Sequence, residues 1–206
     1  MEKALIVATV PAMIGQFNID NLRLLQELGY KVEIACNFED RSVWTNERVH
    51  SFVQMMQSMQ ISMHQIDFPR NPSDVKHLLR AWGQMDQLVA KNGYTGMHCH
   101  TPVAAALTRF IAHKHKVKVV YMAHGFHFYR GASWKNWLIY YPVERMLSRW
   151  TDTLVTINQE DYELAKKRFH AKRTVYIQGV GIDVARFSHH MESETVCLLR
   201  KSLGIH

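Results

Sequence analysis

Three nucleotide-binding signatures are missing from this 206-residue sequence. There is no Gly-x-Gly-x-x-Gly turn, no Walker A loop, and no acidic residue at the end of the second apolar run, which closes on Cys36-Asn37. The missing glycine turn and the missing acid argue against a resident NAD or FAD. The three cysteines, Cys36, Cys99 and Cys197, include no CxxC spacing and cannot all pair. Cys36 and Cys99 fall in apolar runs, so reduced core thiols and a cytosolic setting are expected. No apolar run reaches 18 residues, and the N-terminal one is too short for a signal peptide or a spanning helix. Any membrane contact is therefore expected at the surface. No RRM, KH or helix-turn-helix pattern occurs, so nucleic acid is not an expected partner.

The composition is 47% hydrophobic, ample for a core, and the formal charge is +7. An excess of that sign suits an anionic partner, such as a phosphorylated ligand or an acidic membrane. Its placement tempers the inference. Lys114, Lys116 and Lys118, and the cluster Lys166, Lys167, Arg168, Lys172 and Arg173, fall at helix ends and strand starts. Cations there complement the helix dipole and lie opposite the face where ligands bind.

Seven short β-rich runs alternate with helical periodicity. Lys3–Val10, Lys31–Cys36, Met63–Phe68, Gly96–His100, Val117–Ala123, Thr153–Ile157 and Thr174–Gln178 read as strands. One helix is expected from Phe17 through Leu28 and closes at Gly29, a second is capped by Ser73, and a third is opened by Pro102. Trp134–Trp150 reads as helical with Pro142 inside. The alternation predicts an α/β fold, a doubly wound, mostly parallel Rossmann-like sheet of about seven strands. In such a sheet, ligands bind beyond the carboxyl ends of the strands.

The candidate site residues follow from that rule. The fifth strand runs into Ala123-His124-Gly125-Phe126-His127-Phe128-Tyr129-Arg130-Gly131. Imidazole and guanidinium groups there can hold a sugar hydroxyl or a phosphate. His124 is the foremost candidate, against the plain alternative of a loop histidine bonded to nearby backbone. Gly125, His127 and Arg130 share its loop. Phe126, Phe128 and Tyr129 are expected to pack. His100 ends the fourth strand and is expected in the cleft, and His98 is expected to be a satisfied buried histidine. Pro11–Gly15 reads as the first strand-to-helix loop. Gly15 there either lets a phosphate approach or serves backbone geometry. The histidines come with neither HExxH nor an acidic third ligand, so no metal is expected. Trp134, Trp137, Tyr140, Tyr141 and Trp150 beside Lys135, Arg145 and Arg149 suit either an interfacial helix or an ordinary core-facing one.

The order of these features resembles the N-terminal domain of a GT-B glycosyltransferase of the large retaining family 4. The stretches that carry the resemblance are Gly15 with Leu28–Val32, His98–Pro102, Ala123–Phe128, Val155–Asp161 and Gly179–Phe187. The His-Gly-Phe-His-Phe version resembles bacterial enzymes of capsular and exopolysaccharide synthesis. The resemblance implies that Gly15 lies near the donor diphosphate, that His124 reaches the transferred sugar, and that Asn158 and Glu160 line the cleft. It implies no metal and no bound cofactor, with a nucleotide-sugar, a UDP-sugar by expectation, as substrate. The family's paired glycines appear here as Ile14-Gly15.

From this follow the remaining expectations. Residues 1–187 form an acceptor-side domain, and residues 188–206 form a linker and the start of a donor-binding domain. The chain is expected to act at the cytoplasmic membrane face on a lipid-linked or saccharide acceptor, and to need a donor-binding half for catalysis. The alternative is a non-catalytic acceptor- or membrane-binding module that recruits a separate donor-binding chain.

Overall fold

The computed structural model describes residues 1–181 and 193–204. Seven parallel strands form one sheet in the order β3-β2-β1-β4-β5-β6-β7. They are β1 (Lys3–Val7), β2 (Lys31–Cys36), β3 (Ser62–Gln65), β4 (Gly96–His100), β5 (Lys118–Ala123), β6 (Thr153–Thr156) and β7 (Arg173–Tyr176). The intervening helices are α1 (Pro11–Phe17), α2 (Ile19–Glu27), α3 (Asn46–Ser58), α4 (Val75–Asn92), α5 (Pro102–His115), α6 (Trp134–Ser148) and α7 (Gln159–Arg168). A further helix, α8 (Ser193–Ser202), lies close to the span its sequence predicts. The doubly wound α/β expectation therefore holds. The boundary expected at residue 187, the linker's first residues and the motif from Ile182 to Phe187 lie outside the described residues.

Alternation along each strand divides the core in two. Ile6, Ala8, Ile34 and Cys36 pack with Ile14, Leu22, Phe52 and Met56 of α1–α3. Leu5, Val7, Cys99, Tyr121 and Leu154 pack on the other face with Met85, Ala104, Ala105 and Ala165 of α4, α5 and α7. Helices on both faces explain why the central strands are nearly continuous apolar runs. Cys36 and Cys99 are free and buried, as expected. Burial pushes both thiols up, Cys99 to about 12.

The winding reverses between β1 and β4, so the chain leaves these neighbours in opposite directions and opens a crevice. A hydroxyl pair spans that point. Thr9 and Thr101 Oγ1 atoms lie 2.7 Å apart, and the Thr9 N–H donates to Thr101 Oγ1 at 3.0 Å. Thr101 holds this position with φ 63° and ψ 139°, a conformation that costs a residue with a side chain about 1–3 kcal/mol.

Three local expectations are corrected. The first strand ends at Val7, and Pro11–Gly15 is helix rather than loop, because Pro11 at the first helical position starts α1. The single helix expected from Phe17 to Leu28 is two, broken at buried Asn18. The Asn18 amide donates to the Met13 carbonyl, and its Oδ1 accepts from Asn21. The cap of α4 is Asp74, whose carboxylate accepts the His77 N–H at 3.2 Å, whereas Ser73 bonds Asn71. Gly29 and Gly93 do end their helices in left-handed backbone, at φ 86° and 64°.

Candidate active site

The exit loop of β5 is built by its neighbours. Gly125 turns the chain at φ 127°, which a residue with a Cβ rarely adopts. The turn aims the Phe126 N–H at Asp161, whose Oδ2 accepts it at 2.9 Å. Phe126 and Phe128 then bury themselves against Phe169, at 5.4 and 6.2 Å between ring centroids. Tyr129 stays exposed, contrary to its expected packing. The Asn136 amide donates to the His127 carbonyl at 3.0 Å, and Trp137 Nε1 to the Tyr129 carbonyl at 3.3 Å. The Arg130 N–H donates to Glu160 Oε1 at 2.5 Å. Bonds from the first turns of α6 and α7 thus fix the loop's backbone.

The N-terminus of α7 organises this end of the site. Asn158 caps the helix by accepting the Asp161 N–H at 2.8 Å, and its own amide donates to Asp161 Oδ2 at 2.8 Å. Glu160 and Asp161 place negative charge in the helix's first turn, which the dipole favours. That helix end is already satisfied by its own carboxylates. The adjoining pocket, about 460 Å³, is lined by Gly125, His127, Tyr129, Asn136, Asn158 and Glu160 among others. Amides, the two carboxylates of Glu160 and Asp161, and an imidazole, with no cation in the lining, suit hydroxyl groups better than an anion.

A second cavity of about 600 Å³ runs between α1, the start of α5 and α6. Met13, Phe17, Val103, Leu107, Ile139 and Val143 make its walls mainly apolar, and Arg70 and Glu144 are the charged groups lining it. His127 borders both cavities and stacks on Tyr140 at 4.6 Å. A polar pocket and an apolar groove therefore share one imidazole wall.

His124 lines neither of these two cavities; it is half-buried, with the Phe17 ring 5.8 Å away. Burial holds its imidazole below the usual histidine range. His100 Nδ1 lies 3.1 Å from His124 Nε2. His100 itself has no solvent exposure, so the expectation that it stands in the cleft is corrected: it backs His124 instead. His98 is also corrected. Its Nε2 is buried with no hydrogen-bond partner among the described residues, and so is the Nε2 of His100. Desolvation lowers the two imidazoles to about 4 and about 2.

Gly15 sits mid-helix in α1. A Cβ added there would come within 2.4 Å of Trp44 and 3.0 Å of Phe52. Its smallness admits the Trp44 ring, just ahead of α3, and the Phe52 ring on α3, which is a packing reason distinct from both sequence readings. Of the expected residues, the structure gathers Gly125, His127, Asn158 and Glu160 into one pocket. It leaves His124, His100, Gly15 and the Arg130 side chain outside that lining.

Sequence reading missed Asp161 as the residue that holds the loop. It also missed Arg109, buried on α5. Arg109 donates to both Glu144 oxygens, at 2.8 and 3.0 Å, and its guanidinium lies 4.1 Å from the Tyr121 ring centroid. The spacing of Arg109 among alanines on α5 gave no signal, because its partner is 35 residues away.

Residues 20–178 match the family described as the glycosyl transferase 4-like domain. The chain belongs to that family. EpsD of Bacillus subtilis (strain 168), which carries the name of a glycosyltransferase, is 36% identical over 190 residues. The match covers 90% of this chain and 46% of that one. Among solved structures, Anabaena HepE in complex with UDP and glucose superposes with a TM-score of 0.60 at 13% identity, over 99% of this chain and 50% of that one. A glycosyltransferase from Rickettsia africae superposes with a TM-score of 0.58 at 11% identity, over 100% and 50%. Identities this low show the fold alone, the Rossmann-like sheet of a GT-B N-terminal domain. The chain spans about half the length of these relatives.

Proposed function

We propose that this chain is the acceptor-side half of a retaining glycosyltransferase. It acts with a donor-binding half on a nucleotide-sugar, a UDP-sugar in the simplest case, with no bound cofactor or metal. The acceptor is a lipid-linked glycan of cell-surface polysaccharide synthesis, met at the cytoplasmic membrane face. The observation that carries this reading is the groove between α1, α5 and α6, whose apolar walls join a hydroxyl-binding pocket at His127. An amphiphilic acceptor needs that juxtaposition: the groove covers an alkyl chain and the pocket meets the sugar next to it. The UDP bound by HepE and the name of EpsD support a nucleotide-sugar and a polysaccharide setting.

Helix α6 supports the membrane location. Trp134, Leu138, Ile139, Val143 and Met146 are exposed along it, beside exposed Lys135, Arg145 and Arg149. Apolar and cationic groups on one helix surface suit an anionic bilayer. No described helix is long and apolar enough to cross a membrane.

In the reaction, His124 contacts the transferred sugar, and the leaving diphosphate is stabilised mainly by the donor-binding half.

The test joins the chain to the donor-binding half of EpsD and supplies labelled UDP-sugars with either a lipid-linked glycan or the same glycan free. Label should pass to the lipid-linked acceptor, and His124→Ala should lower turnover by ~10²-fold with little change in stability. Equal use of both acceptors removes the lipid assignment. Full activity of His124→Ala removes the role given to that residue. If the unjoined chain captures acceptor-bearing vesicles and activates a donor-binding chain only on mixing, the recruiting-module alternative holds.

A further inference from the structure

His98, His100 and His124 form a file running from the middle of β4 to the exit of β5. Ring centroids are 4.3 Å apart for the first pair and 5.4 Å for the second. Alternation puts His98 and His100 on one sheet face. The parallel register sets His100 opposite Met122, two residues before His124. Only one hydrogen bond ties the three rings together, between His100 Nδ1 and His124 Nε2 at 3.1 Å.

A neutral imidazole carries one N–H and one bare nitrogen. His100 is neutral at any ordinary pH, because it is fully buried with a second imidazole against it. Two arrangements of the shared proton are then possible. If His124 Nε2–H donates, His100 must carry its own proton on Nε2, and that N–H is buried without a partner among the described residues. If His100 Nδ1–H donates, its Nε2 is a bare acceptor. A buried orphan N–H is the rarer and costlier defect of the two. The second arrangement therefore has the lower energy.

We propose that His100 is a positioning residue that locks His124 as its Nδ1–H tautomer, so that His124 meets its ligand as a hydrogen-bond donor rather than as a base. His124 Nδ1 has no bond to any described residue, which leaves it free for that ligand. The ligand atom it selects is an oxygen with lone pairs to offer: a sugar hydroxyl oxygen or an oxygen of the leaving diphosphate. The ligand assignment rests on the proposed function. The tautomer itself does not.

The test separates the two. Histidine-¹⁵N-labelled chain is studied by long-range ¹H–¹⁵N correlation at pH 7.5, with His124 assigned by its loss in His124→Gln. The expected pattern has a protonated Nδ1 and a bare Nε2 on His124. The reverse pattern overturns the proposal, whatever the chain's activity. His100→Asn places an amide donor close to the former Nδ1 and should preserve the pattern. His100→Leu removes the donor and should release His124 to a mixture rich in the Nε2–H form. In the enzyme joined to a donor-binding half, His100→Asn should stay within about threefold of wild-type kcat, and His100→Leu should fall by ~10-fold or more. A leucine variant that is folded and as active as wild type also overturns the positioning role. A correct tautomer with an inert His124→Ala leaves the lock standing and removes only the sugar contact.

Discussion

The Asp161 carboxylate accepts the Phe126 backbone N–H at 2.9 Å, which ties the first turn of α7 to the loop that follows β5. The N–H is buried, so nothing else can take the place of this acceptor. Asp161→Ala should lower stability by about 1–3 kcal/mol, the cost of an orphaned buried donor. Glu160→Ala cuts a comparable bond to Arg130, but an exposed one, and should cost less than about 0.5 kcal/mol. Urea melts of the two variants make the comparison. Equal losses would show that burial does not decide the effect.

The Arg109–Glu144 pair should behave as a unit. Removing either partner strands a charge between α5 and α6, at about 3–5 kcal/mol. Arg109→Met with Glu144→Leu should recover most of that loss, because two apolar side chains need no counter-charge. A double-mutant cycle measures the coupling. Additive losses would mean that the two groups do not depend on each other.

Acid should unfold this protein early. Half-buried His98 and fully buried His100 have their imidazoles lowered to about 4 and about 2, while an unfolded histidine titrates near 6.5. Between those values the unfolded chain binds more protons, so stability falls as the pH drops below 6.5. The slope is about 1.4 kcal/mol per pH unit for each histidine, and the His98 contribution levels off near its folded value. Glu33 adds to the same trend at lower pH. Desolvation raises its carboxyl, but bonds from Tyr94 and His64 and the charges of His64 and Lys3 outweigh that and lower it. Thermal melts from pH 7.5 to 4.5 should show the decline, and His98→Phe should flatten it. An unchanged slope in that variant would place the acid sensitivity elsewhere.

The exposed face of α6 should matter for vesicles and not for folding. Leu138 and Met146 are 66% and 44% exposed, so Leu138→Glu with Met146→Glu should shift stability by less than about 1 kcal/mol. The same change should abolish flotation with vesicles rich in phosphatidylglycerol and leave UDP binding to a joined donor-binding half unaffected. Retained flotation would move the membrane contact away from this helix.

Gly15→Ala sets two effects against each other. Alanine gains up to about 1 kcal/mol of helix propensity. Its methyl meets Trp44 at 2.4 Å, and overpacking of this kind costs about 1–3 kcal/mol. The net effect should be destabilising. Trp44→Leu in the same chain should restore the loss, and failure to do so would show that Gly15 is not there to admit that ring.

The strand–helix alternation was legible because it depends on neighbours in sequence. Strands buried on both faces must be apolar throughout, and helices that cover them must repeat every three or four residues. The exit loop after β5 was equally visible, since Gly125 and its histidines follow directly on an apolar run. The break at Asn18 was not, because Phe17, Leu24 and Leu28 keep one helical phase across it. The cap at Asp74 was missed because Ser73 beside it satisfies the same chemical rule.

The sequence by itself determined the winding of the sheet, the rim that carries the candidate site and the family to which the chain belongs. Tertiary structure alone decided that His100 stands behind His124, that Asp161 holds the loop, that Gly15 admits Trp44, and that Arg109 has a carboxylate to answer its charge. Each of these depends on which atoms face each other across elements far apart in the chain. Periodicity says which side of a strand or helix a residue occupies, and says nothing of what stands opposite.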